Sequence, residues 1–363
     1  MGLLSTAADA AVVLFSLAVA AAAPLIDAQA VLPRRLFPAP LVGLHRWYAT
    51  EFGDYLAAEP PGFFRGLVWL ELLLHWPLSV ATLYGVLARR PWAGATALAA
   101  GVSVVTAMSA VLGEFLVSGR ATHKLLQIHC SSARTGRVVF AGTSSFDGRV
   151  DHFSSSRSLY LSLCSAPPGV AAMGVVSAAA DAAVVLFSLT VAVAAPLIDA
   201  QSVLPRHLFP APLVSLKRWY AREFGDYLVA RPPGFLRGLV WLELAFLWPL
   251  ALATLYGILA RRRWAATTSL IAGVSTLTSM SAILGEIVGS KKATLKLLQM
   301  YVPFAVFAAI AILRGLCSSA PRGLLYCGRV TNVRLRDVMY SVHRCKLPGR
   351  SYYLGIKIWE SGI

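Results

Sequence analysis

Charge is what this sequence has least of. Only 14% of its 363 residues are charged, against 57% hydrophobic, and Asp and Glu together number 17. So small a polar complement cannot clothe a soluble globule of this length. Paired metal-ligand cysteines are missing too: Cys130, Cys164, Cys317, Cys327 and Cys345 are scattered outside the repeated bodies described below. That spacing supports no metal site. Walker, GxGxxG, HExxH and GxSxG patterns do not occur, so nucleotide and hydrolytic chemistry have no support and no cofactor is expected.

What the chain has instead is apolar runs. Mean hydropathy is +0.65, and the windows 8–25, 63–87, 92–117, 180–197, 235–259, 264–288 and 300–316 approach the roughly 20 residues that a helix needs to cross a hydrocarbon core. An all-α, polytopic membrane protein of seven spans is predicted. The formal charge of +16 might suggest nucleic acid, but its placement argues otherwise. Arg34, Arg35, Arg89, Arg90, Arg206, Arg261, Arg262, Arg263, Lys291 and Lys292 flank the apolar runs, and the other basic cluster lies between Arg322 and Lys357. These positions suit anchors among anionic headgroups of a lipid bilayer. No nucleic-acid partner is expected.

The sequence repeats. Setting Met1 on Met173 matches roughly 90 of the first 128 positions without a gap. The unit is the size of a domain rather than a solenoid repeat. An N-terminal run ending in Ala21, Ala22 and Ala23 imitates a signal peptide, but the same run recurs before Ala195, so it is read as a span. Four segments are expected: a first copy over 1–129 with three spans; a Ser-, Gly- and Arg-rich linker over 130–172, read as disordered; a complete second copy over 173–316 with four spans; and a basic tail over 317–363, also read as disordered. Recurrence of Cys130-Ser-Ser-Ala133 at Cys317 hints that the first copy has lost about one helix core. Three spans would invert the second copy, whereas near-identical flanking charges favour one orientation for both. Either one span of the first copy fails to insert, the copies invert, or the chain made in a cell differs from this one.

Acidic groups at membrane depth are the candidates for chemistry. The first run ends Pro24-Leu-Ile-Asp27-Ala-Gln29, repeated as Pro196-Leu-Ile-Asp199-Ala-Gln201. Asp27 and Asp199 sit at the interface or just inside it, and a solvated helix end is the simpler reading for either alone. Glu71, in Trp69-Leu-Glu71-Leu, lies inside a span, and Glu243 repeats it. An acidic side chain at a helix centre costs about 2.5–3.5 kcal/mol on insertion scales, so such a group is a functional candidate by default. If the first two helices of a copy pack together, Asp199 and Glu243 share one pocket. In low dielectric both cannot stay ionised; one keeps a proton while the other carries charge. That suits a counter-ion to an amine, a hydrogen bond to a sterol hydroxyl, or a proton relay. Trp219, Tyr220 and Phe224 (Trp47, Tyr48 and Phe52 in the first copy) can wall an apolar pocket, or each can serve in an interfacial belt. Asp54 and Asp226 precede Pro-Pro-Gly and suit structural capping. His75 lacks a counterpart and reads as a filler or interface residue rather than a catalytic one, and Glu114 and Glu286 as residues near the far interface.

These motifs carry a resemblance. Pro-Leu-Ile-Asp-x-Gln-x-Val-Leu-Pro-Arg-x-Leu-x-Pro, then Trp-Tyr-Ala-x-Glu-Phe-x-Asp, Pro-Pro and a Glu within helix two, over 1–128 and 173–316, resembles the sigma-2 receptor family of EXPERA-domain proteins. The resemblance implies two tandem helical bundles in the endoplasmic reticulum membrane, three plus four transmembrane helices, with a cavity accepting sterols and cationic amphiphiles. It places the ligand-pairing Asp on Asp199 (Asp27), its partner Glu on Glu243 (Glu71), a supporting Asp on Asp226 (Asp54) and a helix-four Tyr on Tyr301, which the first copy lacks. Phe304 stands where relatives carry a second Tyr. It also implies a homodimer or an intrachain pseudo-dimer. Three functions follow: a non-enzymatic binder of sterols or amphiphilic amines that influences lipid handling or trafficking, a sterol isomerase-like enzyme, or a structural membrane adaptor.

Overall fold

The computed structural model describes residues 3–90, 92–147, 170–318, 327–335, 338–347 and 350–360. Its first copy opens with α1 (Leu3–Leu25), whose end at Pro24 passes into a 3₁₀ turn, Asp27–Ala30. A surface helix α2 (Ala39–Phe52) and a short α3 (Tyr55–Ala58) lead to the second span. That span is α4 (Gly62–Leu70), a π turn Glu71–His75, and α5 (Trp76–Leu87). The π turn has a local cause. Pro77 has no N–H to give and its ring collides with the carbonyl one turn back, so the helix widens ahead of it. Then come α6 (Ala93–Ser118) and α7 (His123–Asp147).

The second copy repeats the order as α8 (Val170–Leu197), a 3₁₀ turn Asp199–Ser202, α9 (Ala211–Glu223), α10 (Tyr227–Ala230), α11 (Gly234–Leu242), a π turn Glu243–Leu247, α12 (Trp248–Leu259), α13 (Ala265–Gly289) and α14 (Leu295–Ser318). Among the described residues seven segments are long and apolar enough to cross a membrane, three in the first copy and four in the second. The protein is a multi-pass helical membrane protein, as its composition predicts.

Two expectations need correction. The 130–172 segment does not begin as a linker, because α7 continues to Asp147 and fills the fourth-helix position. It runs antiparallel to α6: Leu125 packs in the cluster that holds Phe115 near the end of α6, and Val139 clusters with Ala97 near its start. The register needs no missing residues. Leu125, Gly136 and Val139 are buried in α7, where Leu297, Ala308 and Ala311 are buried in α14. Hydropathy overlooks α7 because Arg134 and Arg137 occupy its exposed face, while small and apolar residues at helical spacing hold the inner one. The second correction concerns the tail. Within 317–363 the chain forms an antiparallel meander, β1 (Cys327–Leu335), β2 (Val338–Leu347) and β3 (Arg350–Glu360), with Leu335 opposite Val338 and Leu347 opposite Arg350. Its strands carry Val, Ile and Tyr repeatedly, residues that favour strands over disorder.

With α7 in place, both copies stand the same way up. The N-terminal half of span two in each copy packs against the third long helix of the other, α4 on α13 and α11 on α6. Equivalent residues meet about an approximate two-fold axis: Phe63 stacks on Phe235 at 4.5 Å, and the hydroxyl pairs Ser103–Thr278 and Thr106–Ser275 bridge α6 and α13 at 3.2 and 3.1 Å. Glycine permits the approach. A Cβ on Gly66 would run into the Ser281 carbonyl, and one on Gly238 into that of Ser109. Gly62-x₃-Gly66 and Gly234-x₃-Gly238 therefore act as small-residue crossings, the usual device for close helix contact in lipid. Glu114 and Glu286 are not interfacial spectators. Glu286 Oε2 accepts from Phe63 N, and Glu114 Oε2 from Phe235 N, each at 3.0 Å. Each carboxylate thus caps a helix that opens on a proline, Pro61 or Pro233, with no side-chain cap of its own.

Candidate functional site

In each copy the first-helix Asp and the second-helix Glu converge. The 3₁₀ turn that starts at Asp27 packs on α4, and the equivalent turn at Asp199 packs on α11. Glu71 lies within electrostatic reach of Asp27, and Glu243 of Asp199. Both Glu residues open the π turn, where the widened backbone displaces the side chain from the regular helical stripe. All four acidic residues are half-buried, keeping the accessible surface expected of groups that line a cleft. A tryptophan fixes the facing helices. Trp76 Nε1 donates to the Ala20 carbonyl, and Trp248 Nε1 to that of Ala192, both at 3.0 Å.

The supporting aspartates lie beneath. Asp54 Oδ1 accepts from Leu56 N and Ala57 N at 3.0 and 3.2 Å. Asp226 Oδ1 accepts from Leu228 N and Val229 N, both at 3.0 Å, while the Tyr301 hydroxyl donates to its Oδ2 at 2.7 Å. Helix four is thereby pinned to the floor of the second-copy site. His129 takes the Tyr301 position in the first copy, its ring edge-on to Phe115 at 5.0 Å, so that wall is present but carries no phenol. Tyr220 joins the site: burial first, then the Asp226 and Asp199 carboxylates, hold its phenol well above the ordinary range. Tyr48 repeats this beside Asp54 and Asp27. Phe224 packs on Tyr220 at 4.9 Å. Trp219 reaches only the rim of the site, its ring edge-on to Phe224 at 6.4 Å. It is 57% exposed, which fits an interfacial belt and not a pocket wall.

Lys217 is the residue that sequence reasoning passed over. Its Nζ donates to Ser202 Oγ at 2.7 Å. Burial pulls its ammonium below the usual lysine range, with Asp199 opposing and Arg206 adding to the shift. The second-copy acid pair thus has a resident cation nearby. The first copy has His45 there, likewise held below its usual range, first by burial and then by Arg34. Its signal in the sequence was the His45-to-Lys217 difference, one of three between residues 39–52 and 211–224. A polar cleft of about 630 Å³ opens beside the Asp27 turn, lined in part by Gln29, His45, Glu59 and Arg65. Neither Asp27 nor Glu71 lines it. Among the described residues no cluster of His, Cys, Asp and Glu has the form of a metal site.

The profile of EBP, described as EXPERA (EXPanded EBP superfamily), matches residues 40–166 and 212–315. The chain belongs to the EXPERA family. Glu71 and Glu243 lie within the EXPERA segments, whereas Asp27 and Asp199 precede them. Similar proteins include sigma intracellular receptor 2 of Xenopus tropicalis, 34% identical over 93 residues, which are 25% of this chain and 54% of that protein. Those of Homo sapiens and Macaca fascicularis are each 36% identical over 92 residues, 25% of this chain and 52% of theirs. The chain spans about half the length of these relatives. No solved structure matches it significantly. Duplication of the EXPERA unit, inferred from the internal alignment, agrees with the two matched segments.

Proposed function

We propose that this EXPERA protein is a non-enzymatic intramembrane binder of sterols or cationic amphiphiles, acting in lipid handling or trafficking at the endoplasmic reticulum membrane. The observation that carries this reading is the convergence, in both copies, of an Asp and a Glu at a π turn inside a helix bundle. One ionised carboxylate of such a pair attracts an amine, and a protonated partner donates to a hydroxyl. Buried phenols and aromatic rings on one side and apolar helices on the other suit the body of an amphiphile. Similarity to proteins named receptors supports binding as the role. The reciprocal packing of the copies supports an intrachain pseudo-dimer in place of a homodimer.

The test is saturation binding of a tritiated tertiary-amine amphiphile to membranes carrying the full chain. Asp199→Asn or Glu243→Gln should remove the second-copy sites, and adding Glu71→Gln to Glu243→Gln should remove saturable binding altogether. Unchanged affinity and capacity in the doubly substituted protein would reject the acid pairs as the binding determinant.

A further inference from the structure

The two interiors differ in chemistry although they share a backbone. Above its acid pair the second copy is greasy: Phe187, Leu247, Ala251 and Ala272 form a buried cluster on which Phe304 and Phe307 of α14 pack. Four of these positions are polar in the first copy. His75 stands for Leu247, Ser79 for Ala251, Ser132 for Phe304 and Thr135 for Phe307. Ser132 and Thr135 are smaller than the phenylalanines they replace, and their hydroxyls donate to Ile128 O and Ser131 O of their own helix at 3.2 and 3.0 Å.

The helix-two residues matter most, because no protein group satisfies them. His75 Nε2, Ser79 Oγ and Thr82 Oγ1 are all buried with no hydrogen-bond partner. In the second copy Thr254, the equivalent of Thr82, donates to its own helix at Leu250 O, 2.8 Å. Among the described residues the other such atoms are Gln29 Oε1, Ser188 Oγ and Thr276 Oγ1, so most of the orphans belong to the first copy. A buried polar group without a partner costs about 1–3 kcal/mol. Three on one helix face mark a place where a partner belongs. Beyond the π turn, Ser79 and Thr82 climb that face by about 6 and 10 Å past His75 at 1.5 Å per residue.

We propose that the first copy holds a second, chemically distinct binding site. It takes a bipolar amphiphile, whose first polar group meets Asp27 and Glu71 and whose second, uncharged hydroxyl lies against His75, Ser79 and Thr82. The second copy, with Leu247 and Ala251 at those places, takes an amphiphile with one polar end. This rests on the acid-pair reading above and adds the ligand that each copy selects.

The experiment uses the full chain in membranes with Asp199→Asn and Glu243→Gln, which silence the second site. Two tritiated probes are compared: a sterol with one ring hydroxyl, and the same sterol with a second hydroxyl on its side chain. The dihydroxylated probe should bind about tenfold tighter, the worth of one good hydrogen bond relieving a buried orphan. His75→Leu with Ser79→Ala installs the second copy's own residues, which that backbone already accommodates. It should bring the two affinities within about twofold while sparing the monohydroxylated probe. Thr82→Val should reduce the preference in part. Equal affinities before substitution, or a preference that survives His75→Leu and Ser79→Ala, would overturn the proposal and leave the stripe to water. Binding that withstands Glu71→Gln in this background would instead sink the acid-pair reading itself.

Discussion

Replacing Glu286 by Ala withdraws the carboxylate that accepts from Phe63 N at 3.0 Å. No other side chain caps α4, because Pro61 at its N-cap offers none, and Phe63 is only 3% exposed, so water cannot take over. A hydrogen bond to a charged acceptor is worth about 1.5–3 kcal/mol. Negative charge at a helix N-terminus adds about 0.3–1 kcal/mol. Glu286→Ala should therefore weaken the association of the two copies by about 2–4 kcal/mol, and Glu286→Gln, which keeps an acceptor but loses the charge, by about half as much. Glu114→Ala should act alike through Phe235. Because Phe63 and Phe235 stack on each other, the double substitution should deviate from the sum of the singles. Spin labels at the equivalent exposed positions Arg46 and Arg218 would report separation of the copies during denaturant titration in mixed micelles. Alanine variants whose titration overlays the wild type would refute the capping role, and equal losses for Ala and Gln would refute the part assigned to charge.

Two further predictions concern packing and pH. Gly66→Ala places a methyl against backbone atoms of α13 that cannot yield, so it should cost about 1–3 kcal/mol in the same titration. Gly43→Ala, with nothing within 4 Å of the added Cβ, should cost no stability. Burial lowers the folded-state Lys217 pKa beneath its ordinary 10.5. Between those two values the unfolded chain binds more protons, so this group makes stability rise with pH. Lys217→Met should flatten that rise in denaturation curves taken across the alkaline window, and an unaltered slope would show that Lys217 does not cause it.

Spans and acidic positions were legible because lipid demands long apolar helices and makes a carboxyl within one conspicuous. Asp54 and Asp226 were legible as caps, since an Asp ahead of a short helix has an evident local task. Helix α7 was not. Its polar exposed face lowers hydropathy, and only the inward residues Leu125, Gly136 and Val139 show it to be the counterpart of α14. Which of its two roles Trp219 takes was not legible, because the sequence names an aromatic without saying which way it faces. In sequence Glu114 and Glu286 read only as residues near the far interface, and their capping role was not legible because their partners lie on the other copy, over a hundred residues away.

By itself, then, the sequence determined that the protein is built of membrane helices, that its unit is doubled, and which carboxyls lie deep. Those properties follow from transfer of side chains into lipid, which each segment undergoes without reference to its neighbours. Tertiary structure alone decided which faces turn inward, because in a bilayer the lipid side and the packed side of a helix are both apolar and periodicity cannot separate them. Thus the pairing of Asp27 with Glu71 and of Asp199 with Glu243 could be expected from the sequence only on condition that the helices pack, whereas the shared orientation of the copies and the unsatisfied stripe beside His75 emerge only once they do.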